Sequence, residues 1–333
     1  MGALGLFWYF YDQVGGHRWC EPVLALTADV APLTRAQALT AAGMVAQNEG
    51  EWERSEARLR EALALFRAAD SAFGEAASLF LLGVTLATPW NPEHRAHQAE
   101  ARQRFEESHR LYAQIGDWVG AGWSRLLLAQ MAFPDEDLDR TEQLVTQVID
   151  DCTAAGAHHP VPQALSVLAF IACRRDRAQE ALDHLKDAAA VSRELDDPAQ
   201  LADVLANMSA QQIALGRSKE AEQTLVESAR LLAQVHRGPG RCWPLAAAAV
   251  LHLARGEPAL ATRALGAYDA HTPLRVSVPG DYGGYSGILA EAVGAARARL
   301  DAADIATATT AARRVRLDQL VDELIFQAAN ARP

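Results

Sequence analysis

From Leu33 onward the apolar residues recur at three- and four-residue steps, the spacing that puts them on one face of a helix, and short polar breaks divide the pattern into segments of helical length. The segments come in pairs. The breaks predict helices over Leu33–Asn48 with Glu51–Ala69, Ser71–Ala87 with Glu93–Ile115, and Trp118–Phe133 with Glu136–Ala155. They continue with Val161–Arg174 and Arg177–Leu195, Pro198–Leu215 and Ser218–His236, and Trp243–Arg255 and Pro258–Ala270. Three stretches, Arg175–Leu185, Leu215–Leu225 and Arg255–Leu265, repeat one pattern at a spacing of 40 residues. Ala181, Ala221 and Ala261 fall in register, as do Leu185, Leu225 and Leu265, with Leu165, Leu205 and Leu245 one helix upstream. A fixed period of this size means stacked helical hairpins. The alanines are needed because two helix axes approach to about 8–10 Å only where small side chains line the crossing.

The clearest copy is Leu215–Leu225, LGRSKEAEQTL, in which Gly216 ends one helix and Glu220-Ala221 opens the apolar stripe of the next. It resembles the tetratricopeptide (TPR) repeat, and the resemblance implies an all-α, TPR-like α-solenoid, a right-handed superhelix of helical hairpins. Gly43 and Gly83, again forty apart, stand where a first helix must pack tightly. Leu59 corresponds to Phe105 in the next repeat, and the surplus residues between them fall in the turn ATPWNPEHR, where Pro89 and Pro92 mark a loop. The chain thus divides into an N-terminal helical hairpin (1–32), about six repeats (33–270), an irregular connector (271–285) and a C-terminal helical cap (286–333). The connector, HTPLRVSVPGDYGGY, is too rich in Pro, Gly and β-branched residues for a helix. The cap is read as Ile288–Leu300, Ile305–Arg313 and Leu317–Ala329 closing the last apolar face.

The N-terminal stretch FWYFYDQVGGHRWCEPVLALT, broken at Gly15-Gly16, is similar to a segment of large bacterial ATP-binding regulators of the LuxR/AfsR type, and the closing stretch Ile288–Leu324 resembles the way their arrays end. The resemblance covers nearly the whole chain. It implies a sensory array that controls regulator activity, either as part of a longer regulator or as a free-standing binding protein.

Charge and motifs narrow the function. A formal net charge of −11 opposes the phosphate neutralisation on which nucleic-acid affinity rests, so direct nucleic-acid binding is not expected. The chain carries no GxxxxGK[ST] loop, GxSxG elbow, HExxH pair or dinucleotide fingerprint, which points to a non-catalytic protein without a cofactor. Cys20, Cys152, Cys173 and Cys242 have no paired or metal-like spacing, as suits reduced thiols in the cytoplasm, and no membrane span is expected. Glu93, His94, His97 and Glu100 could present metal ligands on one helix face, but they lie at the polar start of a helix beside a loop, and no metal site is assigned.

The TPR resemblance also implies a groove lined by the first helix of each hairpin. Counting back from each repeat alanine places Met44, Phe80, Trp123, Gln130, Gln163, Phe170, Arg174, Asp203 and Trp243 on that wall. Trp90, Asn91 and His94 in the loop, with Tyr282 and Tyr285 in the connector, are the candidate edges. The carboxylate clamp of chaperone-binding members is not reproduced. An apolar wall with amide spots suits a protein or peptide partner, or a small apolar or aromatic ligand. Two readings compete with a binding groove: these aromatics simply pack between hairpins, or the groove closes into the pocket of an enzyme or ligand-sequestering protein.

Overall fold

The computed structural model describes residues 22, 24, 31–87, 94–132, 137–234, 242–271 and 287–327. The residues read as an N-terminal hairpin, apart from Pro22, Leu24, Ala31 and Pro32, lie outside this set, as do Trp90, Asn91 and the connector after His271.

Every regular element among the described residues is helical. In chain order they are α1 (Pro32–Asn48), α2 (Trp52–Ala68), α3 (Ala72–Ala87), α4 (His94–Gln114), α5 (Trp118–Gln130), α6 (Leu138–Ala154), α7 (Val161–Arg174) and α8 (Ala178–Glu194). They continue as α9 (Pro198–Ala214), α10 (Ser218–Gln234), α11 (Trp243–Ala254), α12 (Pro258–His271), α13 (Gly287–Arg297), α14 (Ala302–Ala312) and α15 (Leu317–Val321), which runs into a π-helical turn, Asp322–Gln327. The hairpin pattern expected from the apolar spacing is present, with helix ends shifted by a few residues at most. The chain is a TPR-like α-solenoid that packs as two compact units dividing between Pro160 and Val161.

In the first unit α1 pairs with α2, α3 with α4 and α5 with α6, and each hairpin also packs on the next through α2·α3 and α4·α5. Helix crossings are close because one partner gives up its side chain. A Cβ built on Gly43 would lie 2.8 Å from Leu59 Cγ, and one on Gly83 would lie 2.6 Å from Phe105 Cε1. The correspondence of Leu59 with Phe105 therefore reflects one packing role filled twice. Small hydroxyl side chains also meet between successive hairpins: Ser55 lies 3.1 Å from Thr85 and Ser108 lies 3.0 Å from Ser124, all fully buried. Each such group finds a backbone carbonyl or a second hydroxyl, so its burial carries little desolvation cost.

In the second unit α7 pairs with α8, α9 with α10 and α11 with α12. The register alanines Ala181, Ala221 and Ala261 are completely buried, as are Leu185, Leu205, Leu245 and Leu265. Turns in both units end their helices on a left-handed residue. Gly216 is representative: its N–H donates to the Ile213 carbonyl (2.9 Å) and the next N–H, of Arg217, to Gln212 (2.8 Å), the double bond that closes a helix C-terminus. The position is held by Asp176, Gly216 and Gly256 in successive copies, and in the turns between repeats by Gly116, Gly156 and Asp196, again forty apart.

The three segments read as a single terminal cap take separate positions. Helix α14 packs on α12 and extends the stack, and the π-helical turn packs on α10, α11 and α12. Helix α13 instead lies across α7, α9 and α11, the first helices of three successive hairpins.

Candidate functional site

The first helices of the hairpins, α7, α9 and α11 in the second unit, share one face because each hairpin repeats the same turn geometry. Helix α13 is seated on this face through Ile288, Leu289, Val293 and Ala296, all buried, while Ala290, Glu291, Gly294 and Ala295 point to solvent. Its entry is read by side chains of the wall. The Phe170 ring fills the space beside Gly287, where a Cβ would lie 2.8 Å from Cδ2. Asn207 donates its amide N–H to the Asp203 carbonyl one turn back (3.2 Å), and this leaves Oδ1 to accept the N–H of Leu289 (3.1 Å). That N–H belongs to the first turn of α13 and has no acceptor within its own helix. One turn on, Arg174 Nη1 donates to Glu291 Oε1 (3.1 Å), and at the far end Arg297 makes a bidentate pair with Asp269 of α12 (2.9 and 2.6 Å). The pairing with Asp269 holds the Arg297 guanidinium charged, raising an already high pKa.

The residues counted onto the wall distribute as follows. Phe170, Gln163 and Trp243 are buried, Asp203 is half-buried and Arg174 is exposed. Phe170 and Arg174 both engage α13, so in the second unit the wall already holds a segment of its own chain. In the first unit Met44 is buried within a cluster with Leu59, Leu63, Leu79 and Leu82, and Gln130 is buried at the end of α5. Phe80 and Trp123 are half-buried, with the Phe80 ring edge-on to Phe105 at 6.0 Å between centroids. Trp90, Asn91, Tyr282 and Tyr285 lie outside the described residues; His94 begins α4, but its side chain also lies outside them. Glu100, from the metal pattern, is bound instead by Arg60 and Arg104. Among the described residues no group of three His, Cys, Asp or Glu is arranged to hold a metal ion.

Two polar networks were not foreseen from the sequence. On the first unit Arg125 bridges Asp151 and His109: it donates to the carboxylate and, through Nη2, to His109 Nε2 (2.8 Å), which leaves His109 Nδ1–H to donate to the Ala121 carbonyl (3.0 Å). Burial, reinforced by the Arg125 charge and opposed by the bond to Ala121, lowers the His109 pKa, and the ring is neutral. On the second unit the buried His252 lies 2.7 Å from Glu257 through Nδ1 and donates through Nε2 to the Leu324 carbonyl (3.0 Å), fastening the π-helical turn to α11. A small cavity beside it, lined by Leu225, Leu251, His252 and Ile325, has room for no more than a water. Both histidines join positions distant in sequence, and no local motif marks them.

No family model matches the chain, and no curated protein matches it. Solved structures do. A Rap protein complexed with competence and sporulation factor is 11% identical with a TM-score of 0.56, over 87% of this chain and 80% of that one. The Rap conjugation gene regulator of plasmid pLS20, in complex with the Phr* peptide, is 9% identical with a TM-score of 0.55, over 82% and 79% of the two chains. The signal transduction ATPase with a tetratricopeptide repeat sensor from Pyrococcus horikoshii is 14% identical with a TM-score of 0.53; the match covers 74% of this chain but 38% of that longer one. At such identities the likeness is one of fold, a tetratricopeptide-like helical-hairpin array.

Proposed function

We propose that the protein is a non-catalytic binding module that recognises a protein or peptide partner along the first-helix faces of its hairpins. The observation that carries the reading is the seating of α13, an amphipathic helix, on α7, α9 and α11 through buried apolar side chains, one backbone hydrogen bond and one ion pair. A face that accepts such a segment within the chain has the chemistry to accept one from outside. Two of the structures with this fold are complexes with the competence and sporulation factor and the Phr* peptide, which favours a peptide over a small apolar ligand. The resemblance of FWYFYDQVGGHRWCEPVLALT to LuxR/AfsR-type regulators, together with the tetratricopeptide sensor of a signal transduction ATPase, supports a sensory role in regulating transcription. On this reading the binding surface of the first unit includes Phe80 and Trp123.

The test is selection of a displayed peptide library on the intact chain, followed by titration of the enriched peptides. Micromolar or tighter peptides are expected whose affinity falls at least about tenfold with Trp123→Ala, since a desolvated anchor commonly contributes about 2 kcal/mol or more, or several-fold with Arg174→Glu. Enrichment of no peptide, or of peptides indifferent to both substitutions, would overturn the reading. The purified protein should also leave ATP unhydrolysed and duplex DNA unbound at physiological salt.

A further inference from the structure

Helix α13 has the properties of a docked ligand more than those of a core helix. It has 11 residues, too few to be stable alone in water, and contains Gly287 and Gly294, each unfavourable in a helix. Gly294 faces open space, so packing does not demand a glycine there. Its contacts are one-sided, and it belongs to no hairpin of the series. Its polar contacts with the wall are those a groove uses to read a guest: Asn207 takes a backbone N–H of the first turn, and Arg174 takes Glu291 in an ion pair whose two side chains are each about half exposed (46% and 50%), while Arg297 at the far end pairs with Asp269 of α12. The wall residues, by contrast, sit within full-length hairpins whose register residues Ala181, Ala221, Ala261, Leu185, Leu205, Leu245 and Leu265 are completely buried.

We propose that α13 is a tethered, displaceable occupant of a helix-binding face formed by α7, α9 and α11. The partner that this face takes in trans is then a short amphipathic helix of the same chemistry. It carries a glycine or other small residue at its start to clear Phe170, branched apolar side chains along one side, and a carboxylate one turn in for Arg174. The inference rests on the binding function proposed above and adds that binding to this face is regulated by release of α13.

The probe is a fluorescein-labelled synthetic peptide of residues 287–299, titrated against the full-length protein and against the full-length Leu289→Asp/Val293→Asp variant, in which α13 loses its grip. The peptide should bind the variant at least tenfold more tightly than it binds the unaltered protein. Adding Arg174→Glu to the variant should weaken binding several-fold, and a peptide carrying Glu291→Arg should recover it, a charge-swap rescue that a purely structural role for α13 would not produce. Equal binding to variant and unaltered protein, or no rescue, overturns the proposal. Should the variant lose its helical signal, amide hydrogen exchange of the unaltered protein decides: α13 exchanging through an opening well below that of α9 and α11 supports it, and equal protection overturns it. Peptides selected from a library that bind the unaltered protein and the variant alike would refute regulation by α13 while leaving the binding function intact. Rescue of the 287–299 peptide without any library binder would leave α13 a displaceable occupant of the face and overturn the binding of a partner in trans.

Discussion

Phe105 occupies the volume that a side chain at residue 83 would need. Its ring carbons lie 2.6–2.8 Å from where a Cβ on Gly83 would stand, and Leu59 stands in the same relation to Gly43, forty residues before Gly83. In a helix interior, exchanging Gly for Ala alone would stabilise by about 1 kcal/mol. Overpacking reverses the sign here, so Gly83→Ala should destabilise by about 1–3 kcal/mol, read as a lower denaturation midpoint at unchanged slope. In a Phe105→Ala background the same substitution should become neutral or stabilising, and a double-mutant cycle measures the coupling. Simple additivity of the two changes would show that the contact is not what selects glycine.

The repeat alanines answer to the same geometry. Ala221, near the start of α10, is completely buried, and Ala221→Phe should lower stability by at least about 1–3 kcal/mol. An unchanged denaturation midpoint would contradict the packing register.

Asp176 and Asp196 adopt the left-handed conformation, with φ of 58° and 52°, at turn positions that glycine holds in the neighbouring copies. A Cβ makes that conformation costly, and glycine avoids the cost. Asp196→Gly should raise stability by up to about 1 kcal/mol, whereas Gly216→Val should lower it by about 1–2 kcal/mol. Thermal unfolding of the two variants checks both signs.

His109 links the fold to pH. Burial holds its folded-state pKa below the ordinary imidazole value, so the unfolded chain accepts a proton that the folded chain refuses. Its contribution is therefore absent well above the ordinary value of about 6.5 and becomes a loss of stability as pH falls through it. His109→Gln should flatten the stability profile between about pH 7 and 5 relative to the unaltered protein. Parallel profiles would show that His109 takes no part in acid unfolding.

Two thiols should be slow to react. Burial pushes Cys152 and Cys173 up to about 11, and the first donates its S–H to the Trp118 carbonyl (3.4 Å), the second to Gln211 Oε1 (3.2 Å). The thiolate is the nucleophile, so iodoacetamide at neutral pH should leave both unmodified in the native protein and label them quickly in denaturant. Rapid labelling of either in native conditions would place it outside its described environment.

The local half of this structure was legible in the residues. Helix bounds followed from turn residues and apolar spacing, and the crossings from Gly43, Gly83 and the alanines at 181, 221 and 261, because backbone conformation and close approach depend on a residue and its near neighbours. The turns at Asp70, Asp176 and Asp196 are harder to recognise, since aspartate also serves caps and helix surfaces and does not mark a left-handed position as glycine does. What lies against each apolar stripe was decided only by the tertiary structure. The stripe Ile288, Leu289, Val293 says that one face of α13 is buried and is equally satisfied by a terminal cap or by a seat on α7, α9 and α11. The contacts that choose between them, Leu289 with Asn207 and Glu291 with Arg174, span 82 and 117 residues of chain. Apolar burial is non-directional and periodicity names no partner; the seat of α13 follows from the side-chain shapes and hydrogen-bonding groups that the folded hairpins bring together.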